Sequence, residues 1–419
     1  GKPEPAPVQY WDMDFSQRHS ASAGALEEEL VDLLKQAVGL RMIADVPLGA
    51  FLSGGVDSST VVALMAEKSR RPVKTCSIGF DQQSLDETAY ARQVAERFQT
   101  DHRKRIVAAD DFGLIDTLAD HFDEPFADAS ALPTYRVCEL ARETVTVALS
   151  GDGADEAMAG YRRHVFHHAE ERVRGLLPQS FRGPALGWLG SVYPKADWAP
   201  RPFRAKSTLL SLARTGPEGY AEAVGVTTPS GRDRIYSDAM RSDLGDYRAE
   251  RRMIDLMEQA PARNGLDQAQ YADMKMWLPG DILTKVDRTS MAVGLEAREP
   301  LLDHRLVGFA ASLPERQRVR GRQGKWLMKR SMERYLPQDI LYRPKQGFVT
   351  PLAQWFRGPL AATARSIAAN DRLIDSGWFD RNALATLAEQ HISGQSDHGR
   401  VLWQLVMLEK SLSGMGLRG

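Results

Sequence analysis

The chain has 419 residues, 43% hydrophobic and 26% charged, an ordinary globular balance that predicts two or more packed domains. A formal net charge of −1 supplies no global field toward nucleic acid or an anionic membrane, and no apolar run approaches the roughly 20 residues needed to span a bilayer. Only two cysteines occur, Cys76 and Cys138, each inside an apolar element, which excludes a disulfide framework or zinc cluster and points to a cytoplasmic location.

Gly1-Lys2-Pro3-Glu4-Pro5 reads as neither a signal peptide nor an initiator Met; Pro3 to Ala6 reads as an extended linker, and Tyr10-Trp11 as the aromatic anchor that docks it. Leu26 to Val38 predicts a helix with acidic residues in its first turn, as the helix dipole favours. Strands are then expected at Val46–Leu52, Val73–Phe80, His102–Val107 and Val145–Ser150. Helices are expected at Thr60–Lys68, from a cap at Asp86 to about Phe98, at Asp111–His121 and at Thr134–Arg142. This alternation implies an α/β fold, a doubly wound parallel sheet covered by helices on both faces, with ligands bound beyond the carboxyl ends of its strands. After about Arg174 the strand pattern fades. Helical periodicity returns at Tyr247–Met257 and Gln268–Trp277, and the remainder is mostly helical. The expected division is a linker at 1–20, an α/β core at 21–174, a helical excursion at 175–265 and a helical region at 266–419 that completes the site.

Two glycine-bearing turns follow strand ends. In Ser53-Gly54-Gly55-Val56-Asp57-Ser58-Ser59 the glycines let several N–H groups face one concavity, and the next helix adds its positive end, a combination suited to phosphates. Asp57 makes sense there if a divalent cation sits between it and the phosphates. The loop lacks the Lys-Ser/Thr pair of Walker-type loops. It resembles the SGGxDS signature of the ATP pyrophosphatase (PP-loop) family, whose members cut ATP between its α- and β-phosphates. The second turn, Ser150-Gly151-Asp152-Gly153-Ala154-Asp155-Glu156, carries three acids. If both strand ends share one cleft, Asp57 and Asp155 could jointly hold Mg²⁺.

The ordered motifs SGGVDSS, SGDGADEAMAGYRR, DRTSMAVGLEAREPLLDHRL and RPKQGF are similar to the synthetase domain of glutamine-dependent asparagine synthetases, over nearly everything from Tyr10 to about Phe356. CSIGFD, HFDEPFADASALPTYRVCELAR and TVALSGDG look closest to the asparagine-synthetase-like amidotransferases of bacterial exopolysaccharide clusters, including the exosortase A-associated ones. The resemblance implies an ATP- and Mg²⁺-dependent ligase that adenylates a carboxylate, aspartate first among candidates, and transfers ammonia to it, releasing AMP and pyrophosphate. It implies Asp57 and Asp155 as magnesium ligands. Phe51, Ser53, Gly54, Gly55, Ser58, Ser59, Ile78, Ser150 and Gly151 would line the nucleotide, with Ile78 near the adenine. Asp152 would act in forming the acyl-adenylate, and Lys345 would face the reacting phosphate and acyl groups.

Ala154 and Ala157-Met158-Ala159 depart from the common Gly and Leu-Phe-Gly, which reads as repacking. The family's N-terminal glutaminase domain, with its Cys nucleophile, is missing from this sequence. The expectation is therefore a synthetase half that begins at the following linker and needs a glutaminase domain or subunit for glutamine to be the nitrogen donor. No nucleic-acid or membrane partner is expected, and a homodimer is left open.

Several other groups invite bland readings. His164, His167 and His168 read as a partly exposed helix rather than a metal site. The basic run Arg316, Arg318, Arg320, Arg322, Lys325, Lys329 and Arg330 reads as a solvated surface rather than an RNA interface, against a tRNA-modifying alternative. Arg298 reads as a structural partner of Glu296 or Asp303, ahead of a bidentate holder of the substrate carboxylate, and Asp123, Glu124 and Asp128 as acids bordering the cleft or a solvated loop. A non-catalytic nucleotide-binding module is disfavoured by the presence of Asp57, Asp155 and Lys345. The larger runner-up keeps the adenylation chemistry and changes the acid, to a sugar acid or a lactam-forming substrate.

Overall fold

The computed structural model describes residues 6–80, 87–107, 112–193, 205–343 and 350–415. Helix α1 (Ala23–Arg41) starts at Ser22, whose side chain accepts from the Ala25 N–H. That start is earlier than the apolar spacing suggests, so Glu27, Glu28 and Glu29 stand beyond the first turn rather than in it. The linker docks differently too. Tyr10 is 95% exposed and Trp11 about half, whereas Met13 and Phe15 are buried against Tyr271, Val307 and Ala311. Asp12 fixes this docking by accepting from the Tyr271 hydroxyl at 2.8 Å and from Lys275 at 3.1 Å.

Five strands form one all-parallel sheet: β1 (Leu48–Phe51), β2 (Lys74–Phe80), β3 (Asp101–Val107), β4 (Val147–Leu149) and β5 (Glu296–Arg298). Their order is β3-β2-β1-β4-β5, so the direction of winding reverses between β1 and β4. Leu48, Gly49 and Ala50 pair with Val147, Ala148 and Leu149. Gly49 is needed in that register, because a Cβ there would stand 2.6 Å from the Lys74 carbonyl oxygen. The fifth strand corrects the expectation that strands end near Arg174. Glu296, Ala297 and Arg298 are too few to show alternation, and only pairing with Val147, Ala148 and Leu149 makes them a strand.

Helices α2 (Val56–Lys68), α3 (Thr88–Arg97), α4 (Leu114–His121) and α5 (Ala131–Arg142) follow the first three strands. The helices α2 and α5 begin one turn or so before the predicted points: Asp57-Ser58-Ser59 hide the start of α2 from apolar periodicity, and α5 takes Pro133 into its first turn, where a missing N–H costs nothing. The predicted starts at Asp86 and Asp111 lie outside the described residues. Leu30 and Leu34 of α1 and Val62 and Leu64 of α2 pack with Leu52, Val147 and Leu149 on one face of the sheet. Val137, Cys138 and Ala141 of α5 pack with Cys76, Ile78 and Ala148 on the other. The sheet is therefore doubly wound, as the alternation implied. The rest is largely helical. Gly265–Ala272 runs into an eleven-residue π-helix, Asp273–Leu283, and then into Thr284–Met291. The helix expected at Tyr247–Met257 spans Arg251–Glu258. Among the described residues no helix is long and apolar enough to cross a membrane.

Candidate active site

The reversal of winding between β1 and β4 opens a crevice at their carboxyl ends, and both glycine turns lie there. Gly54 adopts φ +71°, and a Cβ on it would meet the backbone of Tyr90 and Ala91 at 2.5 Å. Only glycine fits that turn. The loop is organised by its own serines: the Ser53 N–H donates to Ser58 Oγ at 3.2 Å, the two hydroxyls lie 3.0 Å apart, and the Gly55 N–H donates to Ser53 Oγ at 3.3 Å. Across the crevice, Gly151 presses on α2 so closely that a Cβ would stand 2.6 Å from the Ser58 nitrogen. Ser150 donates from its hydroxyl to Asp152 Oδ2 at 2.5 Å, and Gly153, at φ +95°, turns the chain into the single helical turn Ala154–Ala157 that carries Asp155.

One cavity is lined by Phe51, Ser53, Gly55, Asp57, Ser58, Ile78, Ser150, Gly151, Asp152 and Asp155. Two of the expected nucleotide residues are not part of its lining. Gly54 shapes the turn from behind, and Ser59 is fully buried one step along α2. Lys345 lies outside the described residues. Two positions before it, Arg343 donates to the Gly54 carbonyl at 3.3 Å and pairs with Glu87 at 2.6 Å, which ties Arg343 to the first loop.

The carboxylates of Asp57 and Asp155 converge on one atom. Lys325 Nζ stands 2.5 Å from Asp57 Oδ2 and 2.7 Å from Asp155 Oδ1. Burial opposes the charge of Lys325, but Asp155 and Asp57 outweigh it and hold the ammonium above its usual range. Lys325 was expected on a solvated surface, yet it is buried, as is Arg318 of the same run, which pairs with Asp267 and Gln270. Gly160 and Gly324 make room for it: a Cβ on Gly160 would fall 2.0 Å from both Asp155 Oδ1 and Lys325 Cε, and one on Gly324 would fall 2.0 Å from the Ala159 carbonyl oxygen. The signal in the sequence was glycine beside lysine, hidden in a basic run. The two carboxylates stand close enough together to share one cation, as they share the Lys325 ammonium, and a metal ion that phosphate oxygens help to hold would meet the same pair of acids. Among the described residues no group of three or more His, Cys, Asp or Glu side chains could hold a metal ion by itself.

Lys285 is a second buried lysine, one that the sequence reading missed. It donates to Asp128 Oδ2 and Ser130 Oγ, both at 2.8 Å, and lines the same cavity. Burial works against its charge, while Asp128, Asp281 and Asp152 keep it raised. Asp128 thus belongs to the cleft border, whereas Asp123 and Glu124 are exposed and Asp123 pairs with Arg288. Arg298 is held by Glu296 at 2.7 Å and by the carbonyls of Arg41 and Ile43, not by Asp303. His164 and His167 are buried rather than half exposed: His164 meets Asp273 at 2.8 Å and His167 the Gly265 carbonyl at 3.1 Å. Ala154, Ala157, Met158 and Ala159 are all buried, which fits repacking beneath the acids.

Comparison with known proteins agrees with this geometry. The family described as Asparagine synthase matches residues 29–413. The chain is 28% identical over 388 residues to asparagine synthetase [glutamine-hydrolyzing] 1 of Bacillus subtilis, covering 91% of this chain and 58% of that protein. It is 32% identical over 387 residues to a putative asparagine synthetase [glutamine-hydrolyzing] of Mycobacterium tuberculosis, covering 91% and 56%. It is also 25% identical over 436 residues to amidase chyE of Penicillium rubens, covering 93% and 62%. The chain therefore spans little more than half the length of these relatives. With a family match along nearly its whole length, and both glycine turns meeting in one crevice, the chain belongs to the asparagine synthase family.

Proposed function

We propose that this chain is the synthetase half of an amide-forming ligase that activates a carboxylate with ATP and passes ammonia to it. The observation that carries the reading is that Asp57 and Asp155, from two strand ends, line a single cavity and converge on one buried cation behind it, the Lys325 ammonium.

Hydroxide is too poor a leaving group for a carboxylate to react directly with ammonia. In the proposed step a carboxylate oxygen bonds to the α-phosphorus of ATP while the bond to the bridging oxygen breaks, and pyrophosphate leaves with that electron pair. Ammonia then adds through its lone pair to the acyl carbon, loses a proton, and AMP departs. Mg²⁺, when bound, supplies charge neutralisation on the departing pyrophosphate. Asp57 and Asp155 would hold it. The turn at Gly54 and Gly55 would cradle phosphates, Lys325 would balance charge beside them, and Phe51 and Ile78 would flank the adenine. Lys345 would follow the negative charge that builds on the α-phosphate and the tetrahedral adduct. Asp152, tied to Ser150, would orient the acid for adenylation.

The names of the two asparagine synthetases support aspartate as the acid and glutamine as the nitrogen source, delivered through a glutaminase domain or subunit; two free, buried cysteines suit a reducing, cytoplasmic setting. A larger acid is the second reading, favoured by a large cavity beside the nucleotide cleft. Phosphorus NMR of a turnover mixture containing ATP, the acid and ammonium tests the chemistry. AMP and pyrophosphate are expected, and ADP with phosphate would overturn the proposal.

A further inference from the structure

A second cavity of about 1050 Å³ adjoins the nucleotide cleft. Among the described residues Lys285 is the one that lines both. Four parts of the chain build most of its wall: the loop before α5, the π-helix Asp273–Leu283 with its continuation to Lys285, residues 350–354, and the C-terminal helix Gly399–Gly414. The π-helix contains Pro279, which has no N–H to give, and its wide turn sets Trp277, Gly280 and Asp281 on the cavity wall. Such widened turns persist mainly where function requires them.

We propose that this cavity is the chamber for the acid that the nucleotide cleft activates, and that Lys285 binds the acid's carboxylate at the boundary. The acid is of disaccharide or dipeptide size and carries hydroxyl or amide groups, rather than being aspartate alone. The assignment rests on the adenylation reading above for what happens to the acid, but not for where it binds.

Size is the first argument. Ligand cavities for drug-sized molecules run from roughly 300 to 1,000 Å³, so this chamber lies just above that range and aspartate would fill a small part of it. The second argument is the chemistry at the boundary. An ammonium has three N–H donors, and Asp128 and Ser130 take two of those on Lys285, leaving one for a substrate oxygen. Burial, and then the charge of Asp128, push the Asp281 carboxyl up to about 7, so near neutrality it is partly protonated, shares its proton with Asp128 and repels an incoming carboxylate less. The walls are the third argument. Gln354 and Gln404 offer amides, and Trp277 an indole over which the Arg163 guanidinium lies at 4.6 Å, a mixture suited to a polyhydroxylated or amide-bearing body rather than a lipid tail.

The test uses the whole chain and three probes: aspartate, a disaccharide carrying one glucuronic acid, and a dipeptide with one free carboxylate. Exchange of labelled pyrophosphate into ATP is measured with each, and each is titrated calorimetrically without ATP. The expected result is that one of the larger acids binds and saturates exchange at a concentration about tenfold or more below aspartate. A Cβ on Gly280 would meet nothing within 4 Å, so Gly280→Phe can fold. It should raise that acid's KM about tenfold or more, with the KM for ATP as the control for the neighbouring cleft. Lys285→Met should abolish calorimetric binding of the larger acid, and Lys285→Arg should restore it in part. Aspartate acting as the only acid, no binding by any probe, or a Gly280→Phe enzyme with unaltered KM for the larger acid would each overturn the chamber. If a larger acid binds and responds to Gly280→Phe but turnover gives ADP and phosphate, the chamber stands and the adenylation reading falls. If aspartate alone drives exchange, the reverse holds.

Discussion

A Cβ placed on Gly160 would stand 2.0 Å from Cε of Lys325, a residue far away in sequence. Lys325 reaches Asp57 and Asp155 only because that position has no side chain. Two carboxylates this close repel one another, and the lysine is what lets both stay ionised. Lys325→Met should therefore cost about 3–5 kcal/mol of stability, the usual loss when one partner of a buried ion pair is removed. Millimolar magnesium should return part of it, since a cation held by Asp57 and Asp155 replaces the missing charge. Thermal unfolding with and without magnesium reads this directly. A variant as stable as the wild type, or one indifferent to magnesium, would contradict the arrangement. Gly160→Ala should perturb the same centre by overpacking, at about 1–3 kcal/mol.

Asp57→Asn and Asp155→Asn keep size and remove charge. Each should raise the KM for magnesium–ATP by about ten- to a hundredfold, as expected when a charge-assisted contact of about 1.5–3 kcal/mol is lost. Steady-state kinetics across a magnesium titration is the measurement. Normal metal dependence in both variants would separate the two loops functionally.

Lys345 is expected to act on charge that develops during reaction. Lys345→Ala should lower turnover about a hundred- to a thousandfold while ATP affinity stays near wild type. Lys345→Arg should rescue only in part, because a planar fork does not occupy the place of a compact ammonium. An Ala variant with lost ATP affinity and unchanged turnover would make Lys345 a ground-state binder instead.

Asp303 is buried and caps the helix His304–Ser312, accepting from the Arg305 N–H at 3.1 Å, from the Arg305 side chain at 2.9 Å and from Arg41 at 2.6 Å. The Arg305 bonds, ahead of that from Arg41, hold its carboxyl well below the usual carboxylate range despite burial. Its folded pKa is thus lower than its unfolded value near about 3.9, so its contribution is complete above that value. It is lost as pH falls toward the folded value. Asp303→Asn should cost about 1.5–3 kcal/mol at neutral pH, and the gap to wild type should narrow below about pH 4. Urea unfolding at neutral and acid pH checks the sign. A gap that widens on acidification would refute the assignment.

The two glycine turns were legible because their chemistry is local. Gly54 needs a positive φ, Gly151 must approach Ser58, and each turn follows a short apolar strand. Alternating strands and helices through Ser150 then implied the doubly wound sheet, since each element carries its own periodicity. What no local pattern carried was decided by tertiary packing. Glu296–Arg298 became a strand only by pairing with β4. Lys325 and Arg318 looked like solvated charges and were buried because Asp57, Asp155 and Asp267, distant in sequence, compensate them. Lys285 became the boundary of two cavities only when a π-helix, the loop before α5 and the C-terminal helix closed around it. A buried charge is legible only once its partner is in place, because desolvation makes it untenable alone.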